Sequence, residues 1–182
     1  MRIPHGVLTL LLASAALGQE ETDRPICPDE QVRFGCHSNA TDEDLAKLAQ
    51  HPQLREVDLI SDKITDAGVA HLKALPKLES LVLNSSTITD AGVSVLTELP
   101  NLRRLVLGRT RFSPGGYAVL KKLPALRKLC LMRVTLTDES VEALQGLTRL
   151  ETLDFEQLKP ESQTAAAALA RRLPGVRVTI QR

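Results

Sequence analysis

The phrase Ile-Thr-Asp-Ala-Gly-Val stands at residues 64–69 and again, unchanged, at residues 88–93, 24 positions later. Self-similarity at a period between about 20 and 50 residues marks an array of stacked structural units. The period extends in both directions. Leu54, Leu78, Leu102, Leu126 and Leu150 are each 24 residues apart. Three and five places after each come Val57 and Leu59, Leu81 and Leu83, Leu105 and Leu107, Leu129 and Leu131, and Leu153 and Phe155, all apolar. Farther along each unit lie Ile64, Ile88, Phe112 and Leu136, then Leu72, Leu96, Leu120 and Leu144, then Leu75, Leu99, Leu123 and Leu147.

Elementary physics assigns the parts of one unit. Alternation of apolar and variable residues at its start predicts a half-buried strand. Thr65-Asp66, Thr89-Asp90 and Thr137-Asp138 offer a threonine N-cap and an acid in a first helical turn. Val69, Leu72 and Leu75 then recur at helical spacing, and Pro76, Pro100 and Pro124 stop the helix before the next strand. One unit cannot bury its apolar face alone, whereas five in a row can.

On these motifs the chain resembles leucine-rich-repeat proteins of the 24-residue form L-x-x-L-x-L-x-x-T-x-I-T-D-x-G, seen in secreted and cell-envelope bacterial proteins and close to the ribonuclease-inhibitor-like branch. The resemblance covers residues 41–182. It implies an α/β solenoid with a short parallel sheet on the concave face and helices on the convex face, and it says little about the ligand. The family's usual Asn, which ties adjacent turns together, is replaced by Asp62, Ser86, Thr110, Val134 and Leu158. Ser and Thr can supply part of its hydrogen bonding and Val and Leu cannot, so the C-terminal turns are expected to be looser.

The organisation expected is a signal peptide at 1–18, an N-terminal segment and cap at 19–50, five repeats at 51–173 and a capping strand at 174–182. Arg2 precedes an apolar run over residues 7–17 that is too short for a membrane span, and Ala16-Leu17-Gly18 fits a small-x-small cleavage rule. The chain is thus expected to be secreted, periplasmic or part of the cell envelope, with no transmembrane segment. In that oxidising setting Cys27 and Cys36 are expected to form a disulfide, which would staple the N-terminal end by roughly 2–3 kcal/mol in the loop-entropy model. Cys130 is left over. Thr41 and Asp44 read as the start of the cap's helix, with Val32 and Phe34 in a shortened first strand. Val176, Val178 and Ile180 read as the last strand.

No nucleophile elbow, zinc-protease pattern, phosphate-binding loop or dinucleotide fingerprint occurs in the sequence, so it is read as non-enzymatic, without cofactor or metal. Asp58 and Asp154 fall four strands apart, roughly 19 Å at the ordinary strand spacing, too far for paired acid–base work.

The residues between the buried leucines form columns. Glu56, Ser80, Arg104, Lys128 and Thr152 make the first, Asp58, Val82, Val106, Cys130 and Asp154 the second, and Ile60, Asn84, Gly108, Met132 and Glu156 the third. The formal net charge is +1, but the halves differ: residues 1–99 hold eight Lys and Arg against fifteen Asp and Glu. Between residues 100 and 137 there are nine basic residues and no acidic one: Arg103, Arg104, Arg109, Arg111, Lys121, Lys122, Arg127, Lys128 and Arg133. Three functions fit this surface. The first is protein–protein recognition on the concave face, with Val82, Val106 and Met132 rimmed by Arg104, Lys128, Arg109 and Arg133. The second is binding of an anionic polymer or surface through the basic band at 103–133. The third is head-to-tail self-association of the acidic and basic halves. Nucleic acid is not expected, because the band lacks aromatic stacking partners.

Overall fold

The computed structural model describes residues 40–84, 87–110, 112–147 and 149–181, and the backbone of 33–37. The signal peptide, Cys27, the Cys36 side chain and Arg111 lie outside the described residues, and with them the expected disulfide. Thirteen strands and α-helices follow in order: β1 (Arg33–His37), α1 (Asp42–Leu48), β2 (Glu56–Ile60), α2 (Asp66–Ala70), β3 (Ser80–Asn84), α3 (Asp90–Leu96), β4 (Arg104–Gly108), α4 (Pro114–Val119), β5 (Lys128–Met132), α5 (Asp138–Leu144), β6 (Thr152–Glu156), α6 (Pro160–Arg172) and β7 (Arg177–Gln181). Adjacent strands pair in parallel, in chain order, as one seven-stranded sheet. From β2 to β6 the register is a pure 24-residue step, so Leu81 faces Leu105 and Leu105 faces Leu129. Identical leucine slots therefore stack into one continuous core between sheet and helices.

The helices are shorter than their apolar spacing predicts. After α2 and α4 the chain tightens into 3-10 turns, His71–Ala74 and Leu120–Lys122. The Leu75 and Leu123 amides then donate to Leu72 and Leu120 carbonyls before proline withholds the next N–H. The N-terminal end is fuller than the sequence predicts, whereas the last strand starts only at Arg177 and leaves Val176 in the turn before it. β1 is a five-residue strand, not a shortened one, and runs in parallel register with β2. In α1, Asp44 accepts from the backbone N–H and hydroxyl of Thr41, both at 3.0 Å. Burial raises the Asp44 carboxyl, but these donors and Lys47 outweigh it and hold the group below its ordinary value. No helix among the described residues is long and apolar enough to cross a membrane.

The repeated phrase forms a ladder on the convex side. Asp42 accepts from the Thr65 amide at 2.8 Å and the Thr65 hydroxyl at 2.6 Å. Asp66 takes the same two donors from Thr89, and Asp90 takes them from Ser113. Each hydroxyl also accepts an amide of its own helix, from Ala67, Ala91 or Gly115. The carboxylate of one unit thus holds the helix cap of the next. The glycine of the phrase follows from the same geometry. A Cβ on Gly68, Gly92 or Gly116 would collide with Asp42, Asp66 or Asp90. At the next equivalent position the acid is replaced by Pro114, and the glycine by Ser140, which is buried. Loss of the carboxylate and acceptance of a side chain occur together.

The turns after the strands correct the expectation about the missing asparagine. In units three to five, Arg109, Arg133 and Gln157 adopt positive φ of 52–53°. Their amides donate to the carbonyls of Met132, Glu156 and Gln181 on the adjoining strand, at 3.0–3.2 Å. Val134 and Leu158 then turn inward and are buried, so backbone bonds and core packing fasten the C-terminal turns. Thr110 Oγ1 sits buried without a hydrogen-bond partner and does not take over the asparagine's role. The first unit has a different phase: Ser61, not Asp62, points inward and donates to the Ala40 carbonyl at 2.6 Å.

Candidate recognition surface

Strand pairing places the three columns on the concave face as read from the sequence. Arg104 lies between Ser80 and Lys128, Val106 between Val82 and Cys130, and Gly108 between Asn84 and Met132. Val82, Cys130 and Met132 are half-buried and Arg104 and Lys128 exposed. Val106 is only 4% exposed, covered by its neighbours, so it offers a partner less surface than its place in the column suggests. The apolar strip runs instead from Val82 past Cys130 to Met132. Beside it Asp58 Oδ1 is buried without a hydrogen-bond partner.

Cys130 reaches the carboxylate of Glu156 at 3.5 Å. Burial first, then the Glu156 charge, pushes its thiol up to about 12. A thiol held protonated in this way is a poor nucleophile and packs as a small apolar group. Among the described residues no group of three or more His, Cys, Asp and Glu is placed to hold a metal ion.

The basic residues do not form one band. The 24-residue turn carries them to different faces. Arg109 and Arg133 lie at the strand exits, where the Nε of each donates to a side-chain oxygen, of Asn84 at 3.1 Å and of Gln157. These two arginines are tied down along the exit edge. Arg103, Arg104, Arg127 and Lys128 gather at the opposite, entry edge of β4 and β5. There the Arg127 and Lys128 amides both donate to the Arg103 carbonyl at 2.9 Å, which fixes two basic pairs side by side. Lys121 and Lys122 end the helical segment on the convex side, just before the loop that leads to Arg127. The stem of Lys121 lies over Gly146, where a Cβ would collide with it. A shallow open cavity of about 160 Å³ there is lined by Lys121, Arg149 and the leucines around them. Arg149 was not picked out in the sequence because it falls outside the acid-free stretch. The repeat register, which brings the 123–127 and 147–151 loops together, is the signal that finds it.

The segment Phe112 to Gly116, which departs from the repeated phrase, proves to be convex scaffold. Ser113 caps α4 through the Gly115 amide, with Pro114 in the first turn. Phe112 and Tyr117 meet edge to face, centroids 5.9 Å apart at 88°. Burial, then the Asp90 charge, pushes the Tyr117 hydroxyl up to about 12.

No protein-family model matches the sequence, and no curated protein does. Among solved structures it is similar to internalin C2 from Listeria monocytogenes, a leucine-rich-repeat protein, with a TM-score of 0.55 and 22% identity. The match covers 82% of this chain and 63% of that one, so the chain spans less than two thirds of the length of its neighbour. With the parallel ladder, the 24-residue register and the convex helices, this likeness shows that the chain folds as a leucine-rich-repeat α/β solenoid.

Proposed function

We propose that the protein is a noncovalent recognition module that binds a partner protein on its concave face, after export from the cytoplasm. The observation that carries this reading is the composition of the face. Val82, Cys130 and Met132 form a half-buried apolar strip, with Arg104 and Lys128 at one end and Arg109 and Arg133 at the other. An apolar centre with a polar, charged rim is the usual anatomy of a protein interface. The rigid sheet presents it without an ordering cost, since each strand is pinned to its neighbours. The likeness to an internalin supports the scaffold and leaves the partner open.

The test is affinity capture from a cell-envelope extract with three baits: the wild type, a Val82→Asp/Met132→Asp variant and a convex-face control, Thr97→Asp. A partner retained by wild type and control, and lost with the concave variant, is the expected result. Equal capture by all three would reject the concave face as the binding surface.

A further inference from the structure

The entry edge of the solenoid, which begins at Arg104 and Lys128 on the rim of the concave face, sets like charges side by side. Elsewhere adjoining units pair opposite charges. Arg55 meets Glu79 at 2.7 Å and Lys73 meets Glu98 at 2.7 Å. Between the third and fourth units the register sets Arg104 directly beside Lys128, and the backbone bonds at the strand entries set Arg103 beside Arg127. Like charges opposite one another across a strand pair are destabilising. No carboxylate forms an ion pair with any of these four among the described residues. Glu151, exposed in the next unit, stands beside Arg127 without pairing with it. Beyond the rim, Lys121 and Arg149 line the open cavity together with Leu126, the residue just before Arg127.

We propose that this edge binds a linear polyanion whose repeating groups are strong acids, sulfate or phosphate. Three observations select that partner. The cations follow a path that bends from the concave face over the rim, which a flexible polymer can track and a rigid protein surface cannot. Arg104 and Lys128 project from consecutive strands at the strand-to-strand spacing of about 4.8 Å, which suits closely repeated charges. Arg side chains predominate, and their planar fork matches the oxygens of sulfate and phosphate. A polyanion would remove the like-charge repulsion that the register imposes. The edge shares Arg104 and Lys128 with the rim of the concave face but not its apolar strip, and Arg109 and Arg133 lie on the other edge, bound to Asn84 and Gln157.

The experiment measures binding of fluorescently labelled heparin octasaccharide and of inorganic polyphosphate by anisotropy, with neutral dextran and poly-L-glutamate as comparisons. Binding of heparin or polyphosphate should weaken roughly 50- to 130-fold between 50 and 200 mM salt, as about four or five contacts by a flexible single chain require. Which of the two binds more tightly separates a sulfated from a phosphorylated source. An Arg104→Gln/Arg127→Gln/Lys128→Gln variant should lose at least tenfold at 50 mM salt. An Arg109→Gln/Arg133→Gln variant should stay within twofold of the wild type. Circular dichroism melts confirm that both variants fold. Three results would overturn the proposal: no binding at 50 mM salt, equal losses in the two variants, or tighter binding of poly-L-glutamate, which would point to an acidic protein segment.

Discussion

At the scale of single residues, the glycine and the aspartate of the repeated phrase answer to one another. Gly92 exists to admit Asp66, and Asp66 holds the cap of the helix that contains Gly92. Gly92→Ala should destabilise the fold by about 1–3 kcal/mol through overpacking, although alanine is the better helix former. In an Asp66→Ala background the same change should cost at least about 1 kcal/mol less, because the closest obstruction is gone and only the Ile88 methyl, 2.9 Å from the new Cβ, remains. A double-mutant cycle by urea unfolding measures this, and strictly additive effects would show that the carboxylate does not set the residue's size. The Pro114 and Ser140 pair is the natural form of that double change. Cys130 supplies a second test. With its thiol pushed up to about 12, it should react with iodoacetamide at pH 8 about tenfold or more slower in the folded protein than in urea. Peptide-level mass spectrometry separates it from Cys27 and Cys36, and equal rates would mean that the thiolate is available in the fold.

At the scale of elements, what was legible depended on which periodicity carried the information. The strands and their three outward columns could be read because a strand alternates with a period of two and the unit repeats every 24 residues. The turns could not. Whether residue 61 or residue 62 faces inward depends on backbone geometry at the strand exit, and in units three to five positive φ falls on Arg109, Arg133 and Gln157. A glycine there would have announced that conformation, whereas arginine and glutamine do not. The inward placement of Leu158 turns a missing asparagine into core. Leu158→Ala should therefore destabilise by about 2–4 kcal/mol with an unchanged urea m-value. A loss below about 0.5 kcal/mol, the range of surface changes, would place the side chain outside the core. The candidate site was legible by column and misread by face. An acid-free stretch of sequence looks like one patch, yet each 24-residue turn visits the concave sheet, two rims and the convex helices. The covering of Val106 by its neighbours is likewise a property of three strands together.

At the scale of the whole molecule, the solenoid is held by two systems of inter-unit bonds with different extents. The sheet ladder runs unbroken through all seven strands. The aspartate ladder on the outside links α1, α2, α3 and α4 and ends where Pro114 replaces the next acid. The Thr137 amide is left without the acceptor that Thr65, Thr89 and Ser113 enjoy. In solvent deuterium the array should therefore open as two blocks. The amides of Thr65, Thr89 and Ser113 should exchange slowly and as a group, and those at the start of α5 and α6 sooner. Uniform protection across the convex side, measured by native-state exchange, would contradict this. The proline that breaks the phrase is thus a fracture line. Heat or mechanical tension reaching the C-terminal end would peel away the last two helices first, and the entry-edge cations of the third and fourth units sit astride the line at which that peeling stops.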